Sequence, residues 1–97
     1  MVDLHELVRY CDQLLDTSRF RDAATNGLQV EGRPTVRRLA VAVSANRATI
    51  ERAIAWDADV LLVHHGLFWG DGLRSVSGIA RERLRPLLVH EVSLVAY

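Results

Sequence analysis

Val60-Leu-Leu-Val-His-His-Gly66 is the stretch on which the fold turns: an apolar run that ends abruptly in two imidazoles and a glycine. It has a counterpart upstream, Leu39-Ala-Val-Ala-Val43. Continuous runs of small and β-branched residues are the form expected of strands covered on both faces in a parallel sheet. Between the two runs, Ser44 and Asn46 are helix-starting residues, and Ala48, Ile50, Ala53, Ile54 and Ala55 support a helix over about residues 47–56. Strand, helix and strand at this spacing make a βαβ unit. Such a crossover makes its strands parallel and is right-handed in about 98% of cases.

Downstream, a Gly-rich loop over residues 66–72 leads to a helix expected over about residues 77–90, with Pro86 kinking it or moving its start. Val92-Ser-Leu-Val-Ala-Tyr97 then reads as a buried strand. No turn, cap or polar tail follows it, so the chain is expected to be the N-terminal part of a longer protein. Upstream, Asp3 and Glu6 have the spacing of a capping box. Leu4, Leu7, Val8, Cys11, Leu14 and Leu15 recur at helical spacing, which predicts a helix over residues 4–15. From Asp16 to Arg38 the periodicity is lost; Asn26-Gly27 and Gly32-Arg33-Pro34 mark turns around Leu28-Gln29-Val30, a short strand or extended loop. The class is therefore α/β: one domain over residues 1–97, with a mainly parallel sheet and βαβ crossovers.

Length and charge narrow the function. Ninety-seven residues, 49% apolar, with 12 basic against 12 acidic side chains, leave room for one domain and no net field. A neutral chain is a poor partner for nucleic acid or an anionic membrane. The longest apolar run is far shorter than the roughly 20 residues that span a bilayer. A lone cysteine, Cys11, and a start without a basic region and apolar stretch point to the cytoplasm.

Ligands of open α/β sheets bind at the carboxyl ends of the parallel strands. Ser44, Asn46, His64, His65, Trp69 and Asp71 fall at that edge, whereas Asp57, Asp59, His90 and Glu91 fall at the other. Imidazole is a common ligand of zinc, iron and manganese, and Gly66 permits a bend that would let both rings face one cleft. The bland alternative is two polar loop residues, one of them hydrogen-bonded to backbone. Two histidines do not complete a catalytic site, which takes about three protein ligands, or bridging carboxylates for paired metals. Asp71 is a candidate contributor, and the final strand, if parallel, delivers whatever follows Tyr97 to the same place. His5, on the exposed side of the first helix, and His90, near a helix C-terminus, read as structural or solvated. Cys11 on the apolar stripe reads as an inert thiol. Phe68 and Trp69 read first as packing. Gly70-Asp-Gly72 matches neither a phosphate loop nor a dinucleotide fingerprint. Arg81 and Arg85 share a helix side that reads as a solvated face.

Asn26-Gly-Leu-Gln-Val30 followed by Val60-Leu-Leu-Val-His-His-Gly-Leu-Phe-Trp69 resembles the N-terminal part of the GTP cyclohydrolase 1 type 2 homologue family. The resemblance runs in order over essentially the whole chain. It implies a cytoplasmic protein of paired α/β domains that assembles as a homo-oligomer, a hexameric ring, with two divalent metal ions (zinc, iron or manganese) per subunit in an inward-facing cleft. It makes His64 and His65 metal ligands and places Asn26 and Ser44 along the cleft. The family's next motif, His-x-Pro-x-Asp, would begin just after Tyr97. The implied activity is metal-dependent hydrolysis of a small molecule: ring opening of GTP, or cleavage of a phosphate or amide-like bond. The alternative is a non-enzymatic, ring-forming metal-binding scaffold. No residue here stands out as general base, and these residues alone are expected to be inactive. A terminal strand at Tyr97 is expected to expose a sheet edge and favour self-association.

Overall fold

The computed structural model describes residues 1–16, 26–68 and 75–97. In chain order the elements are β1 (Val2–Asp3), α1 (Leu4–Leu15), β2 (Gly27–Val30), β3 (Thr35–Val36), β4 (Leu39–Ser44), α2 (Arg47–Ala55), β5 (Val60–His65), α3 (Gly78–Val89) and β6 (Ser93–Ala96). α1 starts where the capping residues place it, with the Asp3 carboxylate accepting from the Glu6 amide at 3.1 Å. α2 is capped likewise by Asn46, whose side-chain oxygen accepts from the Thr49 amide at 2.9 Å. Pro86 lies inside α3 and does not displace its start from Gly78.

Four strands form the main sheet in the order β2-β6-β5-β4, with β4–β5 and β5–β6 parallel. The two crossovers step in the same direction, so right-handedness puts α2 and α3 on one face. There Ile50 and Ala53 of α2 and Leu84 and Leu87 of α3 pack with Leu61, Val63, Leu94 and Ala96. On the other face, Leu4, Leu7 and Val8 of α1 pack with Val36, Val60, Val95, Leu62 and Leu28.

Two expectations change, and two features go beyond them. β2 is a strand, but it pairs antiparallel with β6. β1 and β3, two residues each, form a separate antiparallel pair that is too short to show any alternation in sequence. β6 is not a sheet edge: it lies between β2 and β5, and β4 is the open edge of the parallel part. β4 is also not covered on both faces, since Val41 and Val43 are 72% and 69% exposed. Leu62 and Val95, the counterparts of Val41 across β5 and β6, belong to the cluster that α1 covers, whereas Val41 and Val43 lie outside it.

Candidate metal centre at the carboxyl edge of the sheet

The register brings the sequence candidates together. Ser44 pairs with His65, the last residue of β5. Because β2 runs antiparallel, its amino end lies at this same edge, with Gly27 opposite Ala96 and Asn26 just before it. His64 and His65 continue β5 instead of lying beyond it, and both are exposed. Alternation would send them to opposite faces, yet their ring centroids stand 4.4 Å apart, tilted by 56°. Gly66 does not take a positive φ. The glycine matters there for space: a Cβ would run into the side-chain amide of Gln29 and push it aside.

His64 has a defined partner: its Nδ1 lies 2.6 Å from the main-chain oxygen of Tyr97. An oxygen acceptor selects the tautomer protonated at Nδ1, which leaves the lone pair on Nε2. That is the arrangement in which metal-ligating histidines are usually held, so the main-chain hydrogen bond of the bland reading and metal ligation are compatible. β6 supplies this oxygen because the Tyr97 amide donates to Val63 at 3.0 Å, extending the parallel pairing. The Tyr97 hydroxyl in turn donates to Asp12 Oδ1 of α1 at 2.6 Å. Burial first, and then the Asp12 carboxylate, raise the Tyr97 hydroxyl well above its ordinary value, so it stays protonated and donating.

The two donors fit a divalent metal in type and tautomer. Among the described residues no group of three His, Cys, Asp or Glu stands close enough to hold an ion. Asp71 and Trp69 lie outside the described residues.

The other candidates take structural places. His5 pairs with Glu31 at 3.0 Å on the surface. His90 is the exposed C-cap of α3. Phe68 is partly buried against the larger core cluster. Burial, and then Asp12, raise the Cys11 thiol, which keeps it protonated and unreactive. Arg81 and Arg85 line a groove with Arg47, Glu51 and Glu82, in which Arg47 is already paired with Glu51. A shallow groove of ≈ 360 Å³ lies elsewhere, between β4 and α2, lined by Val41, Thr49, Arg52 and Trp56. Among the described residues no cluster of titratable groups lines it.

Two residues important to the arrangement carried no signal in the sequence pattern. Asp59, at the opposite edge, gathers the Arg37 and Arg38 amides and the Arg33 guanidinium. Gln29 accepts from the amides just after the histidine pair.

A parallel-sheet α/β domain with paired imidazoles at its carboxyl edge is thus the class defined by fold and geometry. The chain belongs to the Duf34/NIF3 (NGG1p interacting factor 3) family, whose model matches residues 2–97. It is 52% identical over 97 residues to a protein of Allochromatium vinosum named GTP cyclohydrolase 1 type 2 homolog, and 47% identical over 96 residues to one of Pseudomonas aeruginosa with the same name. All of this chain matches the first and 99% matches the second, but it spans only 38% of the length of each. The crystal structure of TTHA1606 from Thermus thermophilus superposes with a TM-score of 0.93 at 43% identity, covering 98% of this chain and 39% of that one.

Proposed function

We propose that this chain supplies the His64–His65 half of the donor set of a dinuclear divalent-metal site in a hydrolase. The observation that carries the reading is the pair itself: two exposed rings 4.4 Å apart at the ligand-binding edge, with His64 Nδ1 engaged by the Tyr97 main-chain oxygen. The chemistry that zinc, iron or manganese supplies when bound is acidification of water toward neutral pH and polarisation of a carbonyl, imine or phosphoryl group. His64 and His65 hold the ions, Tyr97 fixes the His64 ring, and Asn26 and Ser44 line the cleft. The name carried by the relatives extends to this chain as hydrolytic ring opening of GTP, within a wider class that includes phosphate and amide-like bonds. The working assembly is a cytoplasmic hexameric ring. No described helix is long and apolar enough to cross a membrane.

The test is metal bound per subunit at equilibrium, by plasma mass spectrometry after dialysis against excess Zn²⁺, for the chain and for His64→Ala/His65→Ala. Metal retained by the first and lost by the second is the expected result. Equal content in both, or none in either, would sink the reading.

A second reading, a non-enzymatic ring-forming scaffold, is favoured by the exposed apolar strip of Val41 and Val43 on the open edge strand. It falls if the longer protein hydrolyses GTP and His64→Ala abolishes turnover without changing assembly.

A further inference from the structure

The chain leaves the histidine pair through Gly66, Leu67 and Phe68, and this exit is held from an unexpected direction. Gln29 Oε1 accepts from the Leu67 amide at 2.8 Å and from the Phe68 amide at 3.4 Å. Gln29 belongs to β2, which is separated from β5 by the whole of β6. Its reach has a visible cause in the β2–β6 register, which steps from Leu28 opposite Val95 to Val30 opposite Leu94. Two steps along β2 match one along β6, so Gln29 is the extra residue of a β-bulge. Bulges re-aim a side chain relative to a regular strand and are enriched beside functional sites. The close approach of Gly66 to the same amide accords with a turn built around Gln29. Leu67 and Phe68, meanwhile, pack their side chains against the larger core.

We propose that Gln29 is a positioning residue for the His64–His65 pair: the bulge in β2 aims its amide oxygen at the two main-chain amides beyond the pair and so sets where both imidazoles stand. The oxygen has two lone pairs and takes both donors, which fixes the exit of β5 relative to β6, the strand that also supplies the His64 acceptor. The inference rests on the reading of His64 and His65 as the metal-bearing pair, and it predicts that metal affinity depends on a residue that touches neither ring.

Two variants disturb the contact from opposite sides. Gln29→Met keeps length and removes the acceptor. Gly66→Ala leaves Gln29 in the sequence, but the new Cβ displaces the far end of a flexible side chain, a displacement the fold can absorb. The first readout is the ring ¹H–¹³C spectrum of His64 and His65 in metal-free protein. Both variants should move or broaden the ring signals, Gln29→Glu, which keeps an acceptor oxygen, should restore them, and the double variant should add nothing to either single one. The second readout is titration with Co²⁺ alone, for which loss of a supporting group predicts about 10- to 100-fold weaker binding. Ring signals unmoved in a folded Gln29→Met or Gly66→Ala protein, or effects that add in the double variant, would overturn the positioning role. Co²⁺ binding unchanged by His64→Ala/His65→Ala would instead overturn the metal reading and leave the ring spectrum to decide the role of Gln29.

Discussion

Asp59 ties three segments together from a position where a carboxylate is otherwise costly. It is buried at the amino end of β5, accepts from the Arg37 and Arg38 amides at 2.8 and 3.0 Å, and takes a further bond from Arg33 at 3.0 Å. Burial by itself would raise its carboxyl, but the two amides and the guanidinium more than offset that and hold it below the usual carboxylate range. A folded value below the unfolded one means that the stabilisation is complete above about pH 4 and is lost as the pH falls through the folded value. Arg33 is 43% exposed, so most of the effect belongs to the amides. Asp59→Asn should cost about 2 kcal/mol at neutral pH in urea denaturation. Its stability should also decline less steeply than that of the native chain between about pH 5 and about pH 2. Equal acid sensitivity of the two proteins would show that Asp59 is not the group responsible.

At the level of elements, each helix is anchored differently. α2 has its cap in Asn46, and the helix needs it because its nine residues are too few to be stable without packing and end satisfaction. Asn46→Ala should cost about 1 kcal/mol, seen as a fall of roughly 4–8 °C in Tm for a domain of this size, while Asn46→Asp should be nearly neutral. α3 begins at Ser77 without a side-chain cap and carries Pro86 in its interior, so it leans on burial of Leu84 and Leu87. α1 is fastened at its far end by the Tyr97 hydroxyl, which donates to Asp12 at 2.6 Å. The helix that covers one face of the sheet is thereby tied to the residue whose main-chain oxygen holds His64.

On the scale of the whole molecule, the sheet has one vulnerable margin. β4 is an edge strand with Leu39, Val41 and Val43 on one side, all exposed. α1 exposes Tyr10, Leu14 and Leu15 as well. A strand edge next to bare β-branched residues invites pairing with another chain. The 97-residue chain should therefore sediment as a mixture whose mean mass rises with concentration, and Val41→Lys/Val43→Lys should return it to monomer. A native chain that stays monomeric at high concentration would contradict this.

The sequence by itself determined the helix of residues 4–15, the βαβ unit, the parallel run of β4, β5 and β6, and the place of His64 and His65 at the carboxyl edge. These follow from periodicity, capping and crossover geometry, which act over a few residues or one connection. Only the tertiary structure decided that β2 runs antiparallel, that β6 lies inside the sheet, that Gln29 is aimed by a bulge and that Asp59 collects its donors. It also decided that Tyr97 meets both His64 and Asp12, positions 33 and 85 residues away in the chain. Such contacts depend on which strands become neighbours, and no local pattern of polarity carries that information, because a main-chain oxygen or an amide side chain looks the same in sequence wherever it is used.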